Sequence, residues 1–390
     1  MRVSWSAPLA SGGSGSPTNY IVYRSLDGYG FGNPVSAGIA GSLVISNLAT
    51  DKEYYFRVAA SNAGGESLPS ETVGCRQSST NDTKMLFVNG FTRFDRTTNL
   101  RQTPTALNWD APDSTGNMDR VIPRSVNSFD YVVQHGSAIA NSGRGSDSCH
   151  RDAIANNQIV LTNYQIVIWQ AGQELTNIFN STLQSRLTTF LANGGHLFLS
   201  GSEIAGNLDR AFGPTLADRT FFNNQLHANL ASDAHTNSGS YPFTSAANSI
   251  FSGNPSGTFD NGNNGIYWVK SPSVLAPFGS GSQIALNYSG GLSGAAAIQN
   301  DGSAGGGKVI YFAFPFETIT STSVRTAAMT DILNYFVPPR DLRFESIAMV
   351  PGGVQLNLSS EKNNIVSVER STNLANWIEI TNVANTNGSF

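Results

Sequence analysis

Cysteine is scarce in this chain, which has 390 residues and only two cysteines, Cys75 and Cys149. Two cysteines are too few for a disulfide framework, and this pair lacks the close spacing of a zinc site. No metal site is therefore expected. Two unconnected thiols are favoured over a bridge, but a single bridge stays open because a sequence gives no distance between the two residues.

Charge and long apolar runs are also scarce. Charged residues make up 13% of the chain, with 27 acidic and 23 basic side chains and a net charge of -4. Such a surface has no basic footprint for nucleic acid. No apolar run approaches the roughly 20 residues of a membrane span, so none is expected. The length exceeds the roughly 250–300 residues at which single cores stop growing, which predicts two or three domains.

The first part of the chain has short runs of alternating apolar and polar residues, separated by Gly, Ser, Pro and Asn, which is typical of an antiparallel sandwich. Trp5, Tyr54 six residues after Leu48, and an alternating strand that ends at Asn62 resemble a fibronectin type III domain. The resemblance implies a β-sandwich over residues 1–78. Its first strand is missing before the first residue, so the chain is expected to begin inside a longer protein.

Residues 84–337 show a different pattern, in which continuous apolar strands alternate with helices. The predicted strands are 84–91, 165–172, 196–199 and 308–317, and the main predicted helices are 128–141, 181–193 and 323–336. This alternation implies right-handed crossovers and an α/β domain with a doubly wound, mainly parallel sheet. A short helix is expected near 218–230, and most of residues 213–306 are expected to be strand-and-loop decoration.

The last part of the chain, residues 341–390, alternates again over 354–358, 365–377 and 379–383. Its pattern resembles a β-sandwich module that is repeated in large secreted proteins of environmental bacteria. The resemblance implies a partial C-terminal β-sandwich that stops short of a full domain. Further domains are therefore expected beyond both ends of the chain.

The stretch of residues 194–209 is the centre of the predicted α/β domain. It contains a double-glycine helix stop, a buried strand, a tight glycine turn and the start of a new helix. Ligands of doubly wound sheets bind beyond the carboxyl ends of the strands. Ser202 and Glu203 follow such an end, so they are candidate catalytic residues.

Three segments, residues 87–93, 197–205 and 309–317, resemble the class I glutamine amidotransferase-like superfamily with its flavodoxin-like fold. The resemblance is to a divergent branch that is attached to fibronectin type III modules in secreted bacterial proteins. Catalytic members carry a Cys or Ser on the sharp turn and a His-Pro-Glu segment after the last strand. Here the turn residue is Ser202, and the last segment reads Phe314-Pro-Phe-Glu317, so the histidine is absent and glutamine hydrolysis is not expected.

Ser202 needs another base if it is to act as a nucleophile, since an unactivated serine is a poor one. Any of the other histidines could in principle fold over the turn, although His196 begins its strand at the opposite end. Cys149 and His150 are adjacent, but neighbours on a strand point to opposite faces. A structural cysteine beside a surface histidine is therefore favoured there.

Polar side chains follow several predicted strands at their carboxyl ends, namely Asn89, Arg93, Glu174, Glu203 and Glu317. A pair of these carboxylates would suit acid–base glycoside chemistry. The alternative, which is favoured, is that Glu203 and Glu317 accept backbone N–H groups at helix starts or pair with Arg93 or Arg96 and so hold loops. No glycine-rich phosphate loop is present, so no cofactor is predicted.

The sequence therefore predicts an extracellular or cell-surface multimodular bacterial protein. Its amidotransferase-like domain is expected to act as a binding or structural module, with a neutral glycan or another cell-wall component as candidate ligand near Glu203. Trp109 and Trp169 are candidate stacking platforms for a sugar, although the apolar strand around Trp169 favours a core position. The alternative is an extracellular hydrolase of cell-wall peptide or polysaccharide that uses a rewired Ser202 or a carboxylate pair.

Overall fold

The structure is a computed structural model, and its described residues fall in ten ranges. They are residues 1–8, 15–79, 83–91, 100–102, 118–120, 131–253, 256–264, 266–338, 342–360 and 365–385.

The described residues form strands and helices in the following order. The strands are β1 (Arg2–Ser4), β2 (Asn19–Ser25), β3 (Gly32–Gly38), β4 (Ser42–Val44), β5 (Glu53–Asn62), β6 (Gly65–Glu66), β7 (Val73–Arg76), β8 (Met85–Asn89), β9 (Leu100–Gln102), β10 (Met118–Arg120), β11 (Asp147–His150), β12 (Ile166–Gly172), β13 (His196–Gly201), β14 (Ala228–Ser232), β15 (Pro242–Ser245), β16 (Gly257–Thr258), β17 (Val274–Pro277), β18 (Ser282–Tyr288), β19 (Ala295–Asn300), β20 (Val309–Phe312), β21 (Arg343–Val350), β22 (Gly353–Ser359), β23 (Ile365–Arg370) and β24 (Ile378–Ala384). The helices are α1 (Tyr131–Asn141), α2 (Arg151–Ala155), α3 (Ser181–Ala192), α4 (Ile204–Asp209), α5 (Leu216–Leu226) and α6 (Thr322–Phe336), with short 3₁₀ helices at Leu161–Asn163, His235–Ser238 and Phe316–Thr318.

The N-terminal strands form the predicted antiparallel sandwich. β3, β2, β5 and β6 make one sheet, with β7 also paired to β5, and β1 pairs with β4 in a second sheet. The Tyr54 hydroxyl oxygen accepts a hydrogen bond from the backbone N–H of Ala49 at 3.0 Å. This contact of a tyrosine hydroxyl with the backbone a few residues upstream is typical of the tyrosine corner of such sandwiches.

A mixed sheet of 11 strands forms the centre of the molecule. Its parallel part has the order β11-β8-β12-β13-β20, which is 2-1-3-4-5 in chain order and matches one of the common orders of doubly wound sheets. β19, β18, β15 and β16 then continue the sheet with antiparallel pairing, and β14 and β17 join beside them. The sheet is thus mixed, which corrects the prediction of a mainly parallel sheet.

Residues 213–306 form strands and loops, as predicted, but their strands are the antiparallel part of this sheet, so the prediction that they are mostly decoration was wrong. The strands are rich in small residues: Ala295, Ala296 and Ala297 are each at most 1% exposed. Alanine gives a weak apolar pattern in a sequence, yet it lets layers pack closely. α5 also ends earlier than predicted, at Leu226, because His227 adopts a left-handed conformation with φ 54°.

Helices cover both faces of the parallel strands. Ile166 and Ile168 of β12 belong to the core that contains residues of α1 and α6, whereas Val167 and Trp169 belong to the core that contains residues of α3, α4 and α5. Successive residues of a strand point to opposite faces. The continuous apolar run of β12 is therefore explained by burial on both sides.

The N-terminal sandwich is hydrogen-bonded directly to the mixed-sheet domain. Ser148 Oγ accepts from the N–H of Gly74 at 2.7 Å and donates to the carbonyl of Gly74 at 2.6 Å. Arg76 Nη1 donates to the Arg144 carbonyl at 2.6 Å, and Ser78 Oγ donates to the Gly143 carbonyl at 2.7 Å. These bonds attach strand β7 and Ser78 to strand β11 and to the loop between α1 and β11.

The C-terminal strands form two separate hairpins, β21–β22 and β23–β24. Cys75 and Cys149 are both free thiols, as predicted. Within the ranges described, no helix combines the length and apolar content that a membrane crossing would require.

Candidate functional site

The turn after β13 has the predicted strand–turn–helix form, with Glu203 immediately before α4. Gly201 is needed at this turn. A Cβ atom at that position would lie 2.9 Å from the Ala171 side chain and 3.0 Å from Ile204 Cδ1. The glycine therefore lets the ends of β12 and β13 approach each other and places Ser202 and Glu203 beyond them.

Ser202 is fully buried at this turn. Its Oγ donates to the carbonyl of Gly172 at 3.4 Å, and its own carbonyl accepts from Ser273 Oγ at 3.2 Å. Ser202 thus links the turn to the end of β12 and to the residues before β17.

All five histidines of the chain lie in the described ranges, and their contacts are with residues other than Ser202. The contacts are His135 Nδ1 with the Tyr131 carbonyl at 3.0 Å, His150 Nε2 with the Phe91 carbonyl at 3.0 Å, His196 Nδ1 with the Lys308 N–H at 3.1 Å, the His227 carbonyl with Ser282 Oγ at 2.8 Å, and the His235 ring with the Tyr288 ring at 3.7 Å. A rewired Ser202–His pair therefore has no hydrogen bond to support it in the described structure.

A cavity of about 880 Å³ opens beyond the carboxyl ends of β12 and β13. This cavity, the Glu203 cleft, is lined by residues from the loop after β12, from α4 and the loop after it, and from the segments after β14 and before β17. Its lining includes Asn177, Asn180, Glu203, Asn207, Arg210, Phe212, Asp218, Asp233 and Ser271. A cleft thus lies beyond these strand ends, and Glu203 lines it.

Three charged groups meet in the cleft. Arg210 Nη2 lies 2.9 Å from Asp233 Oδ2 and 3.9 Å from Glu203 Oε2, and Arg210 Nε donates to the same Asp233 oxygen at 3.1 Å. Gly206 makes room for this guanidinium, since a Cβ there would lie 2.7 Å from Arg210 Nη2. Ser273 Oγ lies 3.2 Å from Asp233 Oδ1 and 3.2 Å from the Ser202 carbonyl oxygen, so its single hydroxyl proton is shared between these two acceptors.

The pKa of Glu203 is raised from 4.5 to about 7, first by burial and then by the nearby carboxylate of Asp233. The charge of Arg210 opposes both effects. Glu203 therefore takes up or loses its proton near neutral pH, as acid–base residues in clefts commonly do.

Glu203→Gln is expected to increase stability at high pH. The folded pKa lies above the unfolded one, so wild-type stability decreases between pH 4.5 and about 7 and stays lower above that range. The variant should lack this decrease and exceed the wild type by about 1–2 kcal/mol above pH 7, allowing for partial solvent screening. Urea unfolding between pH 4 and 8 measures the difference, with Glu369→Gln on exposed β23 as control. Parallel pH profiles for wild type and Glu203→Gln would contradict the shift.

Glu317 lies in a different place, sealed in the core at 0% exposure. Gln170 Nε2 donates to Glu317 Oε1 at 2.8 Å, and the Tyr267 hydroxyl donates to the same oxygen. Glu317 does not line the Glu203 cleft. The structure therefore does not bring Glu203 and Glu317 together as a carboxylate pair.

The other predicted binding residues are scattered. Asn89 is 1% exposed, and its Nδ2 donates to the Thr72 carbonyl of the N-terminal sandwich at 3.2 Å. Glu174 lies on the loop after β12 but is not part of the cleft lining. Arg93 and Trp109 lie outside the described residues. The sandwich thus covers the end of β8, and the open cleft lies at the neighbouring strand ends.

Sequence reasoning missed Asp233, Arg210 and Phe212. Arg210 and Glu203 flank the six-residue helix α4 at its two ends, so closeness in the sequence was the only signal for Arg210. Asp233 had no such signal, since only the pairing of β14 with β17 brings it to the cleft.

The N-terminal sandwich has a family match. Residues 1–76 match the fibronectin type III domain. This confirms the prediction for the first domain and gives the family of that domain alone.

Similar solved structures overlap most of the chain with low identity. A β-galactosidase from Rahnella sp. R3 is 14% identical with a TM-score of 0.42, over 81% of this chain and 41% of that enzyme. The GH42 β-galactosidase Gan42B from G. stearothermophilus is 11% identical with a TM-score of 0.41, over 79% and 40%. The β-galactosidase from Bacillus circulans sp. alkalophilus is 11% identical with a TM-score of 0.35, over 66% and 36%.

The chain therefore spans about two fifths of the length of the Rahnella enzyme, 41%. Similarities at this level support no activity for this chain. None of the three is named as a glutamine amidotransferase-like protein, so that identification of residues 84–337 stays a prediction.

Proposed function

We propose that this chain is part of a multimodular protein whose mixed-sheet domain binds a neutral glycan in the Glu203 cleft. The observation that carries the proposal is the group of Glu203, Asp233 and Arg210 in a cleft of about 880 Å³. Cavities of this size suit a small-molecule or oligosaccharide ligand.

The charge of the cleft favours a neutral ligand. Asp233 already occupies the guanidinium of Arg210, so little positive charge remains for an anionic ligand. Asp218 also lines the cleft and accepts bonds from Thr215 and Gln184. A phosphate or uronate group would therefore face repulsion from carboxylates at short range.

The remaining polar lining favours a ligand with many hydroxyl groups. Asn180 Oδ1 accepts from the N–H of Leu183 at 3.0 Å, and Asn207 Nδ2 donates to the Leu175 carbonyl at 3.2 Å. These bonds hold the two amide groups in fixed orientations. Each amide still has donors or acceptors that are available to a ligand. Fixed donors and acceptors suit hydroxyl groups, which both donate and accept.

The domain itself is proposed to be a doubly wound, amidotransferase-like fold that lacks the catalytic histidine. Support comes from the 2-1-3-4-5 order of its parallel strands and from Phe314, which replaces that histidine. The Phe314 ring is fully buried and stacks on Phe259 at 4.8 Å and on Phe243 at 5.0 Å. A secreted or cell-surface location is part of the proposal and accords with the fibronectin type III domain.

Calorimetric titration of the full chain with cellohexaose, xylohexaose, chitohexaose and an oligogalacturonate at pH 6 tests the proposal. We expect saturable binding of at least one neutral hexasaccharide and no binding of the acidic one. Preference for the oligogalacturonate, or no binding of any of the four, would contradict it.

A hydrolase is the second candidate, and it is favoured by the two carboxyl groups of Glu203 and Asp233 around Arg210 and by the raised pKa of Glu203. Glu203 would donate its proton to the oxygen of the leaving sugar as the glycosidic bond breaks, and Asp233 would accept a proton from the water that bonds to the anomeric carbon. Release of reducing ends from a neutral polysaccharide, abolished by Glu203→Gln, would establish this activity. If the chain binds the polysaccharide but leaves it intact after long incubation, the hydrolase is excluded and the proposal of a binding module stands.

A further inference from the structure

The rim of the Glu203 cleft carries an exposed aromatic ring. Phe212 is 87% exposed and lines the cleft, and Leu175, on the loop after β12, lines it with 66% exposure. Burial of a large apolar side chain stabilises the folded protein, but Phe212 is too exposed to contribute much of this stabilisation. An exposed apolar group beside a polar cleft is the expected form of a ligand contact.

The loop that carries Phe212 is held on both sides. Arg219 Nη2 donates to the carbonyls of Arg210 and Ala211, each at 2.9 Å. On the other side, Thr215 and Asp218 form a reciprocal capping box at the start of α5. The ring is therefore presented by a fixed backbone, which lowers the entropy cost of using it in binding.

We propose that Phe212 is the stacking platform of the Glu203 cleft, on which a sugar ring of a neutral glycan lies while its hydroxyl groups reach Glu203 and Asn207. This inference rests on the proposed function. A pyranose ring has an apolar C–H face and a polar rim. The aromatic ring of Phe212 matches the face, and the carboxyl and amide groups of the cleft match the rim.

The platform differs from those that the sequence suggested. Trp169 is 0% exposed and belongs to the core, and Trp109 lies outside the described residues. Phe212 stands in a short Gly- and Pro-containing loop, where a sequence gives no sign of whether an aromatic ring is buried.

The test is titration of the full-length wild type and of Phe212→Ala, Phe212→Trp and Leu216→Ala with the hexasaccharide that the wild type binds most tightly. Leu216 is the matched control, because it is 82% exposed four residues away and does not line the cleft. We expect Phe212→Ala to weaken binding about tenfold. Phe212→Trp should bind about as tightly as the wild type, and so should Leu216→Ala.

Unchanged affinity in Phe212→Ala would overturn the platform and leave the glycan site itself standing. Equal losses in Phe212→Ala and Phe212→Trp would also overturn it, because a larger ring preserves stacking. If the wild type binds none of the cellohexaose, xylohexaose and chitohexaose probes, both the platform and the proposed function fail.

Discussion

Trp169→Ala is expected to lower the free energy of unfolding by about 4 kcal/mol, as is usual for the loss of a large core aromatic. Trp169 lies in β12, between β8 and β13, and is 0% exposed. Its ring packs on Phe179 at 5.0 Å. The chain also keeps Gly90 against the indole, where a Cβ would lie 2.1 Å from Trp169 Nε1. Removal would leave a cavity that the rigid sheet cannot close.

Urea unfolding of the full chain measures this loss, with Trp268→Ala as the matched control. Trp268 is 52% exposed, so its removal should cost under about 1 kcal/mol. If Trp169→Ala instead kept its stability and lost glycan binding, Trp169 would be a ligand contact and the core assignment would be wrong.

Glu317→Ala is expected to lower the free energy of unfolding by about 3 kcal/mol, because it leaves two buried donors without their acceptor. These donors are Gln170 Nε2, at 2.8 Å from Glu317 Oε1, and the Tyr267 hydroxyl. Glu317→Gln keeps an acceptor oxygen of similar shape and should lose less.

Both Glu317 variants should bind the hexasaccharide with wild-type affinity under conditions in which they are folded, because Glu317 does not line the Glu203 cleft. Unfolding curves and titrations on the same preparations separate the two roles. A Glu317 variant that keeps its stability but loses binding would show that Glu317 takes part in glycan binding.

The strand–turn–helix around Glu203 could be predicted because its signals are local. The helix α3 ends before Gly194, which has φ 81°, and the buried strand β13 and the tight turn at Gly201 follow within a few residues. The helix end, the strand and the turn each depend on residues that are adjacent in the sequence, and all three are present in the structure.

The antiparallel half of the sheet could not be predicted in this way. β15 pairs with β18 and β14 pairs with β17, and in each case two other strands lie between the partners in the sequence. Strand pairing over such distances depends on tertiary packing, which periodicity does not reveal. The prediction of a mainly parallel sheet failed for this reason.

The same distinction between local and non-local signals applies to the candidate site. Glu203 was predicted because it follows its strand directly. Its partner Asp233 comes from the end of β14, whose position depends on the antiparallel half of the sheet. Glu317 also follows a strand end, yet its side chain turns into the core rather than into the cleft. Position at a strand end therefore predicts proximity to a site but not the direction of the side chain.

The most direct test of the account is to block the Glu203 cleft and measure glycan affinity. Ser271 lines this cleft, and Ser185 lines a second cavity of about 490 Å³ beside α3. Ser271→Trp should abolish binding of the neutral hexasaccharide, whereas Ser185→Trp should bind it with wild-type affinity. Wild-type affinity in Ser271→Trp, or loss of binding in Ser185→Trp alone, would contradict the assignment of the glycan site to the Glu203 cleft.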